Sequence, residues 1–586
     1  MTMEAGDHKP AGSTCSHIEH LTTAAPSHET DFHDGSEFDG DREVAEEAIG
    51  GASTADLPTG YYRSFAFLGT LFGIWMGEIG LLLTSSMPFN VLTQINDDLG
   101  PDANYVWVSI VSFNFVLVGR LGGLFGRRWF CMGSLGIGFI GSMIAAFAPD
   151  IPALIVGSAL LGIAAAPQQS FPMILSELVP NKYRGAVVGG IFLSATPLVC
   201  FGPVLVRLMM IHTAGGWRWT YRLGALFDGL STISLFLAYH PPTFKTLHAR
   251  RENYISPWAM VDWLGTVLFV AGQVLFLLGL SWGGSVYPWK SGQVLGFVIG
   301  GGLIWVAFVL WEIHGARIYP LIPMKLFKNR ALMGVVLTAV LWPIQLQALY
   351  TQRLWELDGK AVSVNQSGTV IGTILSAVLI QPLGRHKLQL VFGVVVLCAF
   401  CVAMAAANTS TEAMALAFIT IVGTCIGWIE NAAQTLAPFC LKHEDLGIAL
   451  GLVGTSRATL SAIAQVVYVS TLNNKLSAAV PQYVLPAAIE AGLPSSSGTA
   501  LLDGLATVNL TDVPGITPAI AAAAAAANKH AYTYSFKYVY LASIAFGCVG
   551  VLFSLMAPDS EKSFNSTVSR KLQRTGVQKE SSVKEH

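Results

Sequence analysis

The chain has 586 residues, 53% of them hydrophobic and only 12% charged, with a formal net charge of −2 at pH 7. Soluble domains average about 25% charged residues, so this composition cannot cover a water-facing globule, and a mean hydropathy of +0.54 points to a bilayer as the main solvent. The near-zero charge removes any bulk case for a nucleic-acid partner, and most of the eight cysteines are scattered without pairs at metal-ligand spacing, so neither a disulfide framework nor a zinc site is indicated.

Residues 1–60 are polar and lack an apolar signal-peptide core, and they read as a disordered cytosolic tail. Crossing ~30 Å of hydrocarbon takes ~20 apolar residues of helix. Fourteen such runs follow, near 64–86, 104–121, 129–148, 151–172, 186–210, 223–240, 262–282, 292–313, 331–351, 363–383, 388–407, 412–435, 446–470 and 537–557. With the N-terminus in the cytoplasm, 24 of the 34 Lys and Arg residues fall on the inner side, nine on the outer side, and Arg457 within a span. That bias places both termini in the cytoplasm. The stretch 475–535, which contains the alanine-rich run at 519–527, is expected outside the cell, either as an amphipathic or re-entrant helix on the outer leaflet or as a flexible loop. Asn408 and Asn509 begin glycosylation sequons on the same outer side.

Between spans two and three stands GRLGGLFGRRWF (119–130). This glycine- and arginine-rich turn resembles the signature loop of the major facilitator superfamily. Its glycines permit a tight turn, and Arg127 and Arg128 can meet helix C-terminal carbonyls. SELVPNKYRG (176–185), YHPPTF (239–244), DWLGTVLFVAGQVLFLLGLSWGG (262–284), LWPIQLQALY (341–350), DLGIALGLVGTSRA (445–458) and STLNNK (470–475) narrow the resemblance to the fungal trichothecene efflux pumps, with siderophore transporters close by. Two positions depart from the exporter pattern. Gly123 replaces the usual acid of the loop, and 153–167 lacks the arginine common in span four.

The resemblance implies an all-α major facilitator fold of two six-helix bundles, residues 61–244 and 331–558. Two inserted linker helices occupy 245–330, and a cytosolic tail follows at 559–586. It also implies a midplane substrate cavity and proton-driven alternating access. Gly119, Arg120, Gly126, Arg127 and Arg128, with Gly202 and Pro203 in span five, become candidate gating elements, and Pro203 is expected to kink its helix.

An ionisable side chain in hydrocarbon costs at least ~2.5 to 3.5 kcal/mol on insertion scales, so it faces a cavity or a partner. Glu78 in span one and Glu430 in span twelve are the proton-carrier candidates. Arg457 in span thirteen requires compensation by carboxylates, carbonyls or substrate oxygens, Glu430 among them. Asp228 in span six reads as a structural pair or an interfacial residue, and Arg207 as an interfacial anchor. Gln168, Gln169, Trp342, Gln345, Gln347, Asn431 and Gln434 suggest an amphipathic cavity for a bulky, mostly apolar, oxygenated compound, with hydrogen bonding between helices as the competing reading. The chain has no P-loop and no HExxH motif, so an ATP-driven pump lacks its minimal chemistry. No cofactor is implied. The expected partners are the lipid bilayer, protons and a small organic substrate, in the plasma membrane or in a vacuolar or vesicle membrane. The leading reading is a proton-coupled exporter. A siderophore-iron importer and a non-transporting membrane sensor are its rivals.

Overall fold

The computed structural model describes residues 52–53, 60–100, 108, 127–241, 261–338, 350, 354–355, 360–441, 446–507, 513–559 and 567–568, apart from positions 90, 170, 181–182, 284–286 and 316–319. These residues form helices almost throughout. In chain order they are α1 (Phe65–Leu81), α2 (Leu92–Leu99), α3 (Arg127–Ala146), α4 (Ile151–Gln168), α5 (Phe171–Leu178), α6 (Arg184–His212), α7 (Arg218–Ala238), α8 (Trp263–Trp282) and α9 (Gly292–His314). They continue with α10 (Arg330–Thr338), α11 (Lys360–Leu383), α12 (His386–Ala403), α13 (Glu412–Leu436), α14 (Leu446–Glu490), α15 (Gly498–Thr507) and α16 (Pro518–Ser554). A π-helical turn, Leu82–Ser86, extends α1. A two-residue antiparallel pair joins Ala52–Ser53 to Thr567–Val568 near the two ends of the chain.

Nine helices among the described residues are long and apolar enough to cross a membrane, and Ile151–Ala165 and Ser367–Leu383 are shorter apolar helices. Most of the expected second span, 104–121, lies outside the described residues, as does the ninth beyond Thr338. The outward surface is apolar, with Phe65, Ile163, Leu303 and Phe392 all more than 60% exposed. A surface of that kind is stable against lipid and not against water.

Short polar caps start the helices. Ser64 accepts from the Phe67 amide at 3.2 Å, Ser291 from Val294 at 3.3 Å and Asp262 from Gly265 at 2.8 Å, each satisfying an amide that the first turn leaves open. Asp262 also accepts the Trp311 indole N–H at 3.0 Å, which pins α8 to α9. Between α11 and α12 the chain turns through Gly384 and Arg385, both with positive φ.

Without a hydrophobic force between helices in lipid, packing relies on close backbone approach and hydrogen bonds. On α1, Gly73, Gly77 and Gly80 face Leu235, Ser231 and Asp228 of α7. The Ser231 hydroxyl donates to the Gly73 carbonyl at 2.7 Å and Ser234 to Gly69 at 2.8 Å. On α11 and α13, Gly372 lies against the Thr424 carbonyl and Gly427 against that of Thr369, so tightly that a methyl group at either would enter the neighbouring backbone.

Among the described residues, 475–535 is helical over most of its length rather than a flexible loop. Helix α14 runs 45 residues and α16 runs 37, so at ~1.5 Å per residue α14 is ~68 Å long, more than twice the hydrocarbon thickness. The two pack against each other beyond the apolar spans, where Val484, Ala488, Leu501, Ile520 and Ala524 form a separate small core. The alanine run favours this outcome because alanine is the best helix former, and Thr517 with Pro518 at the first turn caps its start.

Candidate functional site

Four helices bring a polar cluster together in the middle of the protein. Glu78 lies on α1, Gln169 directly after α4, Glu430 on α13 and Arg457 on α14. The Arg457 guanidinium makes an ion pair with Glu430 through Nη1 and Oε1. Its Nη2 faces Gln169 Oε1 at 3.5 Å, the limit for a direct hydrogen bond. Glu78 is 2% exposed, its Oε2 has no hydrogen-bond partner, and it lies within electrostatic reach of the same guanidinium. One cation therefore serves two carboxylates. The set is neutral only when one of the two acids carries a proton, and a net charge in a poorly hydrated site is costly.

On the same helices several buried polar atoms remain without partners. Trp75 and Trp428 each keep a buried indole N–H free, and Gln434 keeps a buried carbonyl oxygen. Trp75 precedes Glu78 by three residues and Gln434 follows Glu430 by four, so each pair shares a helix face. On those faces the Trp75 indole supplies a hydrogen-bond donor and the Gln434 carbonyl an acceptor beside the charged group.

Two of the neutral cavity candidates fall elsewhere. Gln168 donates through Nε2 to Asp228 Oδ1 at 3.1 Å, and Asp228 is fully buried where α7 meets Gly80 of α1 and Gly138 of α3. The side chain of Gln168 is thus committed to helix packing on the side of α1 away from Glu78. Asn431 is likewise fully buried and donates to the Ser376 hydroxyl at 3.2 Å, which joins α13 to α11. In both cases the hydrogen bond between helices is the observed contact. Trp342, Gln345 and Gln347 lie outside the described residues, as do Gly119, Arg120, Gly126 and Asn509.

Arg127 opens α3. Beside it Arg128 donates from Nη2 to the Phe236 carbonyl at 2.6 Å and lies over the Phe236 ring at 5.3 Å, in the last turn of α7. That is the place where a helix dipole favours a cation. Gly202 is buried against Met87. Pro203 lies within α6, which runs from Arg184 to His212 without interruption, so the expected kink does not break the helix. Near the start of α6 the buried Arg184 stacks over Phe439 at 5.0 Å, while Gly185 and Gly189 touch Thr435 and Ala377. These contacts join the first half of the chain to the second. The Asn408 side chain is exposed in the turn before α13, where it accepts from the Ser410 amide at 2.9 Å.

Sequence reasoning missed Gln273, a fully buried residue of α8 whose Nε2 donates to Thr459 Oγ1 of α14 at 3.1 Å. Its only sequence signal is a single neutral polar side chain at the middle of an apolar run.

Comparison with known proteins follows the same lines. The family described as "Fungal trichothecene efflux pump" matches residues 25–582. The trichothecene efflux pump TRI12 of Fusarium sporotrichioides is 26% identical over 533 residues, which is 86% of this chain and 88% of that one. Its counterpart in Trichoderma arundinaceum is 28% identical, covering 88% and 90%. The MFS-type transporter prx5 of Penicillium rubens is 28% identical over 80% of this chain and 86% of its own. Among solved structures, the proton:xylose symporter XylE aligns over 88% of this chain and 99% of its own, with 15% identity and a TM-score of 0.48. The match across nearly the whole length, on a helical protein of the membrane, means that the chain belongs to the fungal trichothecene efflux pump family of major facilitator transporters.

Proposed function

We propose that the protein is a proton-coupled exporter of bulky, largely apolar, oxygenated small molecules of the trichothecene or drug-like kind, working by alternating access in the plasma membrane with both termini in the cytoplasm. One observation carries the reading: the Arg457 guanidinium is paired with one carboxylate, Glu430, and within electrostatic reach of a second, Glu78. Glu78 belongs to the first six-helix unit of the proposed organisation, whereas Glu430 and Arg457 belong to the second. A rocking motion of one unit against the other changes the distance from Glu78 to the cation and leaves the pair within the second unit intact. When Glu78 is far from Arg457 it holds a proton, and as the cation approaches it releases that proton, because a nearby positive charge favours the carboxylate. Proton loading is thereby linked to the conformational step that moves substrate.

The free indole donor of Trp75 and the Gln434 carbonyl suit an uncharged compound with oxygen acceptors. Export as the direction follows the names of the relatives. In proteoliposomes under an imposed pH gradient, the full-length protein is expected to move a terpenoid probe, and Glu78→Gln to keep substrate counterflow while losing gradient-driven accumulation. Unchanged gradient-driven accumulation by Glu78→Gln removes Glu78 from the mechanism.

A further inference from the structure

In a twelve-helix arrangement the additional pair α8 and α9 has no place, and it is easily regarded as a passive insert. The contacts of α8 argue otherwise. One side of α8 packs closely on α9, where Gly272 meets Trp305 and Gly279 meets Val298. The other side reaches α14. There Gln273, with no exposed surface, donates to the hydroxyl of Thr459, which is itself 6% exposed. Thr459 is two residues beyond Arg457, about 200° around the helix and about 3 Å along it. Gln273 therefore holds the back of α14 at the height at which Arg457 projects from the front.

A second observation concerns what Gln273 leaves unused. Its carbonyl oxygen is buried without a hydrogen-bond partner, and an unsatisfied amide of this kind in an apolar span is costly. An apolar residue of similar volume would pack there without that cost, so what the amide adds at this position is the one bond it makes. We propose that Gln273 is a positioning residue for Arg457: the inserted helix α8 clamps α14 through Thr459 and so sets the guanidinium against Glu430 and Gln169. The inference rests on the transport reading above. It assigns the extra helix pair a part in coupling rather than in substrate contact.

The test uses full-length protein in proteoliposomes and two near-isosteric variants, Gln273→Leu and Thr459→Val. Hydrogen bonds between membrane helices correspond to about threefold to tenfold in an equilibrium. Each variant is accordingly expected to lower gradient-driven transport by about that factor and to shift the pH of half-maximal transport, with the double variant no worse than either single one. The exchanged pair Gln273→Thr with Thr459→Gln restores the bond from the opposite side and is expected to recover at least half of the lost rate. Single variants that match the wild type in rate and pH profile, or losses that simply add in the double variant, overturn the inference. If the wild type shows no gradient-driven transport, the proton-coupling reading fails, and the clamp is still decided by thermal melting of purified protein. There Gln273→Leu and Arg457→Gln are expected to shift the midpoint non-additively, and additive shifts overturn the clamp.

Discussion

Replacing Arg457 with glutamine removes the one cation that the two acids of the central cluster share. Breaking a buried ion pair by deleting one partner costs about 3 to 5 kcal/mol, because the other charge is left uncompensated. Here the side chains of Arg457 and Glu430 are 29% and 27% exposed, so solvent recovers part of that loss and about 2 to 3 kcal/mol is the expected size. At 1.4 kcal/mol per tenfold, this corresponds to about 30- to 140-fold in the population of the arrangement in which Glu430 is ionised. Arg457→Gln is therefore expected to lower protein yield and to reduce gradient-driven transport by more than tenfold. Adding Glu430→Gln removes the stranded acid, and the double variant is expected to regain yield without regaining coupling, since Glu78 then has no cation to approach. The assay is uptake of a terpenoid probe into proteoliposomes across a series of imposed pH gradients, normalised to inserted protein. Coupled transport by Arg457→Gln within twofold of the wild type, with an unaltered pH profile, refutes the shared-cation argument.

Other expectations follow from the packing. A valine at Gly372 must displace the Thr424 carbonyl of α13, and overpacking of this kind costs about 1 to 3 kcal/mol or more. Gly372→Val should lower the melting temperature of detergent-purified protein substantially, whereas Gly133→Ala, at an open position, should not. Asp262→Ala removes a helix cap and the acceptor of Trp311 together. The cap alone accounts for about 1 kcal/mol, so a loss of at least that size is expected in denaturant titration, with α8 and α9 becoming more open to hydrogen exchange. Asn408→Gln is expected to abolish a glycosidase-sensitive shift in gel mobility if the turn before α13 faces outward, and persistence of the shift in that variant excludes Asn408 as its source.

The bilayer makes part of this molecule easy to read from its residues. A run such as 386–406 must be helical and must be long, because lipid offers no other partner to its backbone. The same logic stops at the membrane surface. Hydropathy ends α14 near residue 470, but the helix continues to Glu490, since what extends it is packing against alanines of α16 rather than lipid. Polar residues within spans are conspicuous in the sequence, yet their neighbours are not. Glu430 pairs with Arg457 and Gln434 follows one turn later on the same face, whereas Asn431, between them, turns to Ser376. Gln168 and Gln169 are adjacent, and one meets Asp228 while the other meets Arg457. Only the rotation of each helix, fixed by its glycine contacts, separates these cases. Gln273 gives the same signal as any lone amide in a span, and nothing in the linear order of residues places it behind Arg457.

The short ribbon that joins Ala52–Ser53 to Thr567–Val568 has a topological consequence. Backbone hydrogen bonds cannot be knitted across a sheet of lipid, so the pairing supports the proposed placement of both ends in one compartment. On that reading the chain between them crosses the bilayer an even number of times. Reporters fused to the two termini are then expected to read the same aqueous phase, and reporters in opposite phases would refute it.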